Sequence, residues 1–150
     1  MNTNGKITGT TDRKVILTTL WVFVMFNYLY CDVMALMDSV TLKQFLEGKA
    51  AGMDTTQGFF LTAAILMEIP MAMILLSMVL KYKANRWSNI IAGTIMTVVQ
   101  FSSLFIGSAP TIYYMFFSII EITCTSSIVW HAWRWRNHGV QLKVDGALST

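Results

Sequence analysis

The sequence predicts an all-α protein: a four-helix transmembrane bundle with a short extracytoplasmic amphipathic helix between spans one and two. Three observations lead there. Of the 150 residues, 55% are hydrophobic and only 13% charged, against roughly 25% charged in an average soluble domain. The apolar residues form unbroken blocks rather than an amphipathic repeat, each near the roughly 20 residues that a helix needs to cross a bilayer core. Lysine and arginine, finally, gather in alternate connections, as they do when the other connections have been translocated.

The four blocks are residues 15–37, 59–80, 87–106 and 111–133, within a single membrane domain of residues 1–150 whose termini, 1–12 and 138–150, are expected to be flexible. Span one does not read as a cleavable signal peptide. It contains Asn27 and Asp32, and no small-residue cleavage pattern follows it. In the loop that follows, Thr41 and Gln44 form a capping-box pattern. Leu42, Phe45 and Leu46 then share one side, and Gly48 or Gly52 can end the turn. This predicts an amphipathic helix, lying in the headgroup plane or over the mouth of the bundle.

Asp54 and Gln57 repeat the capping pattern before span two. Within that span Pro70 lacks a backbone donor and frees the carbonyl of Leu66, which predicts a kink within one turn of Glu68. Asn85 or Ser88 is placed to cap span three, and Gly107 and Gly139 to end spans three and four.

Orientation follows from the basic residues. Lys6, Arg13 and Lys14 precede span one, Lys81, Lys83 and Arg86 separate spans two and three, and Arg134, Arg136 and Lys143 follow span four. Lys43 and Lys49 lie in the first loop among Asp38, Glu47 and Asp54. Both termini are therefore expected in the cytoplasm, with the chain in the inner (plasma) membrane. The net charge of +3 suits anionic headgroups of the lipid bilayer and gives no argument for nucleic acid. Cys31 and Cys124 would differ in depth by about 10 Å, which argues against a disulfide.

Each span carries a strongly polar side chain: Asp32, Glu68, Gln100 and Glu121. An acid at the centre of a span costs roughly 2.5 to 3.5 kcal/mol on the insertion scale, so the fold must have a use for it. Counting inward from the outer ends puts Glu68 and Glu121 ~15 Å deep, Gln100 ~10 Å and Asp32 ~8 Å. All four fall in one layer of the outer half.

Helical spacing adds neighbours to each. Span three carries a small or polar stripe of Asn89, Gly93, Thr97, Gln100, Ser103 and Gly107, and span four carries Tyr114, Ser118, Glu121, Cys124, Thr125 and His131. Span one offers Met25, Tyr28 and Asp32 with Asn27 and Cys31 beside them, and span two offers Ala64, Glu68 and Ala72. The expectation is a polar cavity lined by Asp32, Glu68, Gln100 and Glu121, with neutral hydrogen bonds from Tyr28, Asn27, Thr97, Ser118 and Thr125. It would bind or conduct a small ligand, cation or proton.

Two other readings stay open. Small and polar faces also glue helices together, which suits a structural or assembly subunit of a larger membrane complex, or a homo-oligomer. A membrane glutamate can also serve as acid or base in an enzyme acting on a lipid or quinone. No nucleotide loop, zinc motif, serine elbow or C-x-x-C pair is present, which favours a non-enzymatic role and identifies no cofactor. Met67, Met71 and Met73 flank Glu68, but no histidine or cysteine cluster completes a copper site, so no metal is expected.

The end of span four reads WHAWRWRNH. Trp130, Trp133 and Trp135 with Arg134 and Arg136 predict an interfacial anchor. His131 and His138 are seven residues apart on one helix side and cannot clasp opposite faces of a haem.

The runs NYLYCDVMALMD in span one, EIPMAM and LKYKANRWSNIIAG across spans two and three, and IEITC in span four resemble an uncharacterised bacterial family of small four-span integral membrane proteins. The match covers nearly the whole chain. The acid in span two and the basic loop after it are loosely similar to DoxX-like four-helix proteins, a group with roles in redox and membrane-protein assembly. This resemblance implies the fold rather than an activity.

Overall fold

From Asn4 to Met37 the chain contains no proline, and a single helix, α1 (Asn4–Met37), runs the whole way in a computed structural model that describes residues 4–106 and 109–135. Residues 4–12, expected as a flexible lead-in, are therefore its first turns. Once the apolar block is helical, each added residue gains a backbone bond without a new nucleation cost. The expected flexible segment 138–150 lies outside the described residues, as do Gly107 and Gly139.

The break after α1 is made by Asp38, whose extended backbone (φ −77°, ψ 116°) suits an N-cap. Helix α2 (Ser39–Leu46) follows, and the Asp38 carboxylate accepts from the Thr41 amide at 3.1 Å and the Thr41 hydroxyl at 2.5 Å. Thr41 is thus a donor to the cap rather than the cap itself. None of α2 is buried, and Leu46 is 80% exposed. Gly48, at φ +75°, ends the turn as anticipated.

A minimal hairpin, absent from the all-α expectation, comes next. Strands β1 (Lys49–Ala50) and β2 (Met53–Asp54) pair antiparallel, Lys49 opposite Asp54 and Ala50 opposite Met53. Ala51 (φ +50°) and Gly52 (φ +80°) make the turn, both left-handed as the mirror-image two-residue turn requires. Asp54 is thereby taken up in β2. The cap of α3 (Gln57–Val79) is instead Thr56, whose hydroxyl accepts from the Phe59 amide at 3.2 Å. Pro70 is buried inside α3, which continues through it without a break.

Helix α4 (Tyr82–Ser103) begins after Lys81 with no side-chain cap bond, because Asn85 and Ser88 lie inside the helix and Asn85 is spent elsewhere. Helix α5 (Ile112–Trp133) completes the chain of elements. α1 packs against α3 and α5, and α4 packs chiefly against α5 and more lightly against α3. The four long helices form an antiparallel ring in which α1 and α4 are diagonal. One end carries the short basic connections and the other the α2–hairpin loop.

Three helical stretches, Asp12–Met37, Gln57–Val79 and Ile112–Trp133, are long and apolar enough to cross a membrane. α4 is less apolar because its inward face carries Asn85, Asn89 and Gln100 along with Ala92, Gly93 and Met96. Leu17, Trp21, Val24 and Tyr28 of α1 meet Met73, Met96 and Ile128 in the core. The outside is just as apolar: Phe26, Leu29, Ile65, Leu75, Phe116 and Ile119 are all exposed. An apolar girdle of this kind suits hydrocarbon and is foreign to a soluble monomer.

Gly93 lets α4 and α5 approach closely. A Cβ there would sit 2.8 Å from Val129 Cγ2 and 3.3 Å from the Thr125 carbonyl. The first is a stiff β-branched side chain and the second is backbone, so neither yields cheaply. Gly93→Ala is expected to lower unfolding stability by about 1–3 kcal/mol through overpacking, despite alanine's better helix propensity. A raised thermal midpoint in detergent would contradict this.

At Asp38 the Thr41 hydroxyl, then the Thr41 and Val40 amides, hold the carboxyl below the usual carboxylate range. A depressed folded pKa means that the cap stabilises α2 above the ordinary Asp value of about 3.9 and is lost as pH falls through the lower folded value. The protection factors of the α2 amides, which correct for intrinsic exchange, should therefore fall with acid in that window. Asp38→Asn should keep the cap but remove the pH dependence, and Asp38→Ala should lose protection at every pH.

Candidate functional site

Residues three and four apart on α5 share a face, which sets Ser118, Glu121, Thr125, Ile128 and Ala132 inward. Glu121 is only 1% exposed. Around it run hydroxyl and amide contacts between α4 and α5. Thr97 Oγ1 lies 2.8 Å from Thr125 Oγ1, and Gln100 Nε2 donates to Ser118 Oγ at 2.8 Å. The Thr125 hydroxyl contacts the Glu121 carbonyl at 2.9 Å, Ser118 donates to the Tyr114 carbonyl at 2.7 Å, and the Ser103 and Tyr114 hydroxyls meet at 2.7 Å.

These bonds satisfy the neighbours of Glu121 but not Glu121 itself. Its Oε1 is buried with no hydrogen-bond partner, and so is the Tyr28 hydroxyl. Among the described residues no group of three or more His, Cys, Asp or Glu gathers in metal-holding geometry. A cation held here would be met by one carboxylate and mostly neutral oxygens.

Of the expected cavity residues, Asn27, Tyr28, Gln100, Ser118, Glu121 and Thr125 are buried and Thr97 is half-buried, on the facing sides of α1, α4 and α5. Asn27 turns its amide back onto the Phe23 carbonyl at 2.9 Å. Asp32 and Glu68 are exposed, so the expected interior layer of four reduces to Gln100 and Glu121. Asp32 falls one residue beyond Cys31, off the inward face of Leu17, Trp21, Val24, Tyr28 and Cys31.

Glu68 lies off the buried face of its helix for a different reason. α3 is apolar on all sides, so no period marks its inner face. Pro70, Met73 and Ser77 are buried, not the face of Ala64, Glu68 and Ala72. Trp135 is a further correction. It is 3% exposed, edge-to-face with Tyr82 at 5.2 Å, and its carbonyl accepts from the Tyr82 hydroxyl, whereas Trp130 and Trp133 are exposed as an anchor should be.

A second polar cluster lies nearer the basic end. Asn89 Oδ1 accepts from Trp21 Nε1 at 2.8 Å and from Ser77 Oγ at 3.2 Å. Its Nδ2 donates to the Asn85 carbonyl at 2.9 Å and to Asn85 Oδ1 at 2.6 Å, and Asn85 Nδ2 donates to the Ser77 carbonyl. The cluster is internally satisfied, which makes it a fastening rather than a reactive site. The sequence places Asn89 on the inward stripe of span three, but nothing in it marks Asn85 and Ser77 as its partners.

A family model described as a family of unknown function (DUF6326) matches residues 6–141. Neither the curated proteins nor the solved structures contain a match.

Asn89→Ala removes the acceptor for both Trp21 and Ser77 and leaves the indole N–H buried without a partner. The expected loss is about 1–3 kcal/mol. Thermal melts should register it, and the Trp21→Phe, Asn89→Ala double variant should lose less than the sum of the two single changes.

Proposed function

The chain belongs to the DUF6326 family, and we propose that this member is a four-span inner-membrane protein that binds or conducts a proton or small cation at Glu121. α4 serves as the fourth span. Its amides and hydroxyls face the bundle, where their bonds to α1, α3 and α5 offset the insertion penalty that its composition carries. Both termini lie in the cytoplasm on this reading, because the basic connections share one end.

The observation that carries the proposal is the buried carboxyl of Glu121 with an unpartnered oxygen. A carboxylate in a low-dielectric interior needs a counter-charge. The polar layer of Asn27, Tyr28, Thr97, Gln100, Ser118 and Thr125 contains no lysine or arginine to provide one. Neutrality must then come from a proton or a cation taken up from outside, with the surrounding hydroxyl and amide dipoles as secondary ligands. Asp32, exposed on α1 one helical turn beyond Tyr28, is the relay to the outer surface on this reading.

One observation favours the assembly reading alongside this one. Glu68 is exposed on α3, a helix apolar enough to cross a membrane, and an acid facing hydrocarbon is costly. A partner helix that covers this face would relieve the cost. The lipid or quinone enzyme calls instead for an elongated apolar pocket beside the acids.

In proteoliposomes, Glu121→Gln should abolish pH-gradient-driven or cation flux, Asp32→Asn should slow it several-fold, and Glu68→Gln should leave it near wild type. Flux through Glu121→Gln equal to that of the wild type would remove the proposal. Loss of a co-purifying partner in Glu68→Gln, with flux unaffected, would support the assembly role of α3.

A further inference from the structure

Three arginines, two from helices α1 and α4 and one from the C-cap of α5, converge at the basic end of the bundle. Arg13 of α1, Arg86 of α4 and Arg134 just after α5 line a pocket of about 690 Å³, together with Trp130, His131 and Trp133. Among the described residues no carboxylate lines it. Asp12 belongs to an adjoining recess of about 310 Å³ that shares only Arg13 and His131 with it.

Part of this basic charge is structural. Arg13 reaches the His131 carbonyl at 3.5 Å and Arg86 the Trp133 carbonyl at 3.2 Å, and both cap the end of α5. A helix C-terminus presents only about half an elementary negative charge, which three guanidinium charges exceed several-fold. Each guanidinium also has five N–H donors, so one bond to a carbonyl leaves most of them free. Arg86 Nε is moreover buried and donates to nothing. The Arg134 guanidinium carbon lies over the Trp130 ring, 5.5 Å from its centroid.

We infer that this pocket is a binding site for a phosphate oxyanion, held by Arg13, Arg86 and Arg134. Guanidinium forks match phosphate oxygens bidentately. The carbonyl contacts of Arg13 and Arg86 and the cation–π contact of Arg134 bring the three groups together before any ligand arrives. Exposed Trp130 and Trp133 give the pocket an apolar, membrane-interface wall, the surroundings of a phospholipid headgroup. A free phosphate would find the same donors. The site is separate from Glu121 and does not depend on the activity proposed there.

The test is a thermal-shift titration of the full chain in a neutral detergent. The probes are phosphatidylglycerol, phosphatidylcholine of the same acyl chains, and inorganic phosphate. Wild type should be stabilised by phosphatidylglycerol well beyond phosphatidylcholine, by phosphate, or by both. Arg86→Gln and Arg134→Gln should each weaken the apparent affinity at least tenfold, with Arg86→Lys falling between. A response to phosphatidylglycerol with phosphate inert assigns the headgroup, and a response to phosphate alone assigns a soluble phosphate. Arg134→Gln leaves both helix-end bonds intact, so it reports on binding even if Arg86→Gln fails to fold. Equal responses to the two lipids with none to phosphate would overturn the assignment, as would wild-type affinity in Arg134→Gln.

Discussion

One amide side chain joins three of the four long helices. Asn89 on α4 accepts from Trp21 on α1 and from Ser77 on α3, and its own N–H donors are absorbed by Asn85 one turn earlier. In an apolar interior an unmade hydrogen bond costs far more than a made one contributes, so few rotations of α4 satisfy all these groups together. With that rotation set, Gly93 comes to face α5 and permits the tight approach to Thr125 and Val129. Thr97 and Gln100, further along the same face, then meet Thr125 and Ser118. The surroundings of Glu121 are in this sense downstream of Asn89.

The two polar regions differ in how completely they are satisfied. The cluster around Asn89 closes on itself and imposes geometry. The layer around Glu121 leaves a carboxyl oxygen and the Tyr28 hydroxyl without partners. A protein interior seldom leaves such groups idle unless something from outside completes them. The basic end repeats this pattern with opposite charge, since its arginines are anchored by carbonyls yet retain spare donors.

Much of this was legible in the residues, and what was not has identifiable causes. Spans 15–37, 59–80 and 111–133 each correspond to a helix apolar enough to cross a membrane, because unbroken apolar runs admit little else. The inward faces of α4 and α5 were legible because small and polar residues recur there at helical spacing among bulky ones. α3 lacks such contrast, and Glu68 was set on the wrong side. The Asp38 and Thr56 caps were missed by a few residues, since several Asp and Thr side chains nearby compete for the role and only backbone geometry chooses among them. The hairpin escaped because Ala51 adopts a left-handed conformation that its side chain disfavours. Asn85 looked like a cap, and its partner Ser77 sits in a helix with no visible period.

The unequal packing of the helices also bears on how the chain is made. α4 meets α5 far more extensively than it meets α3, the helix synthesised just before it. During translation α4 would emerge with Asn89 able to reach Trp21 and Ser77, while Thr97, Gln100 and the groove at Gly93 still await a partner not yet synthesised. If α4 is the fourth span proposed above, a segment this polar has little reason to leave an insertion channel alone. On the proposed four-span reading, this packing favours release of α4 and α5 into lipid as a pair, which docks as a helical hairpin onto an α1–α3 pair already in place.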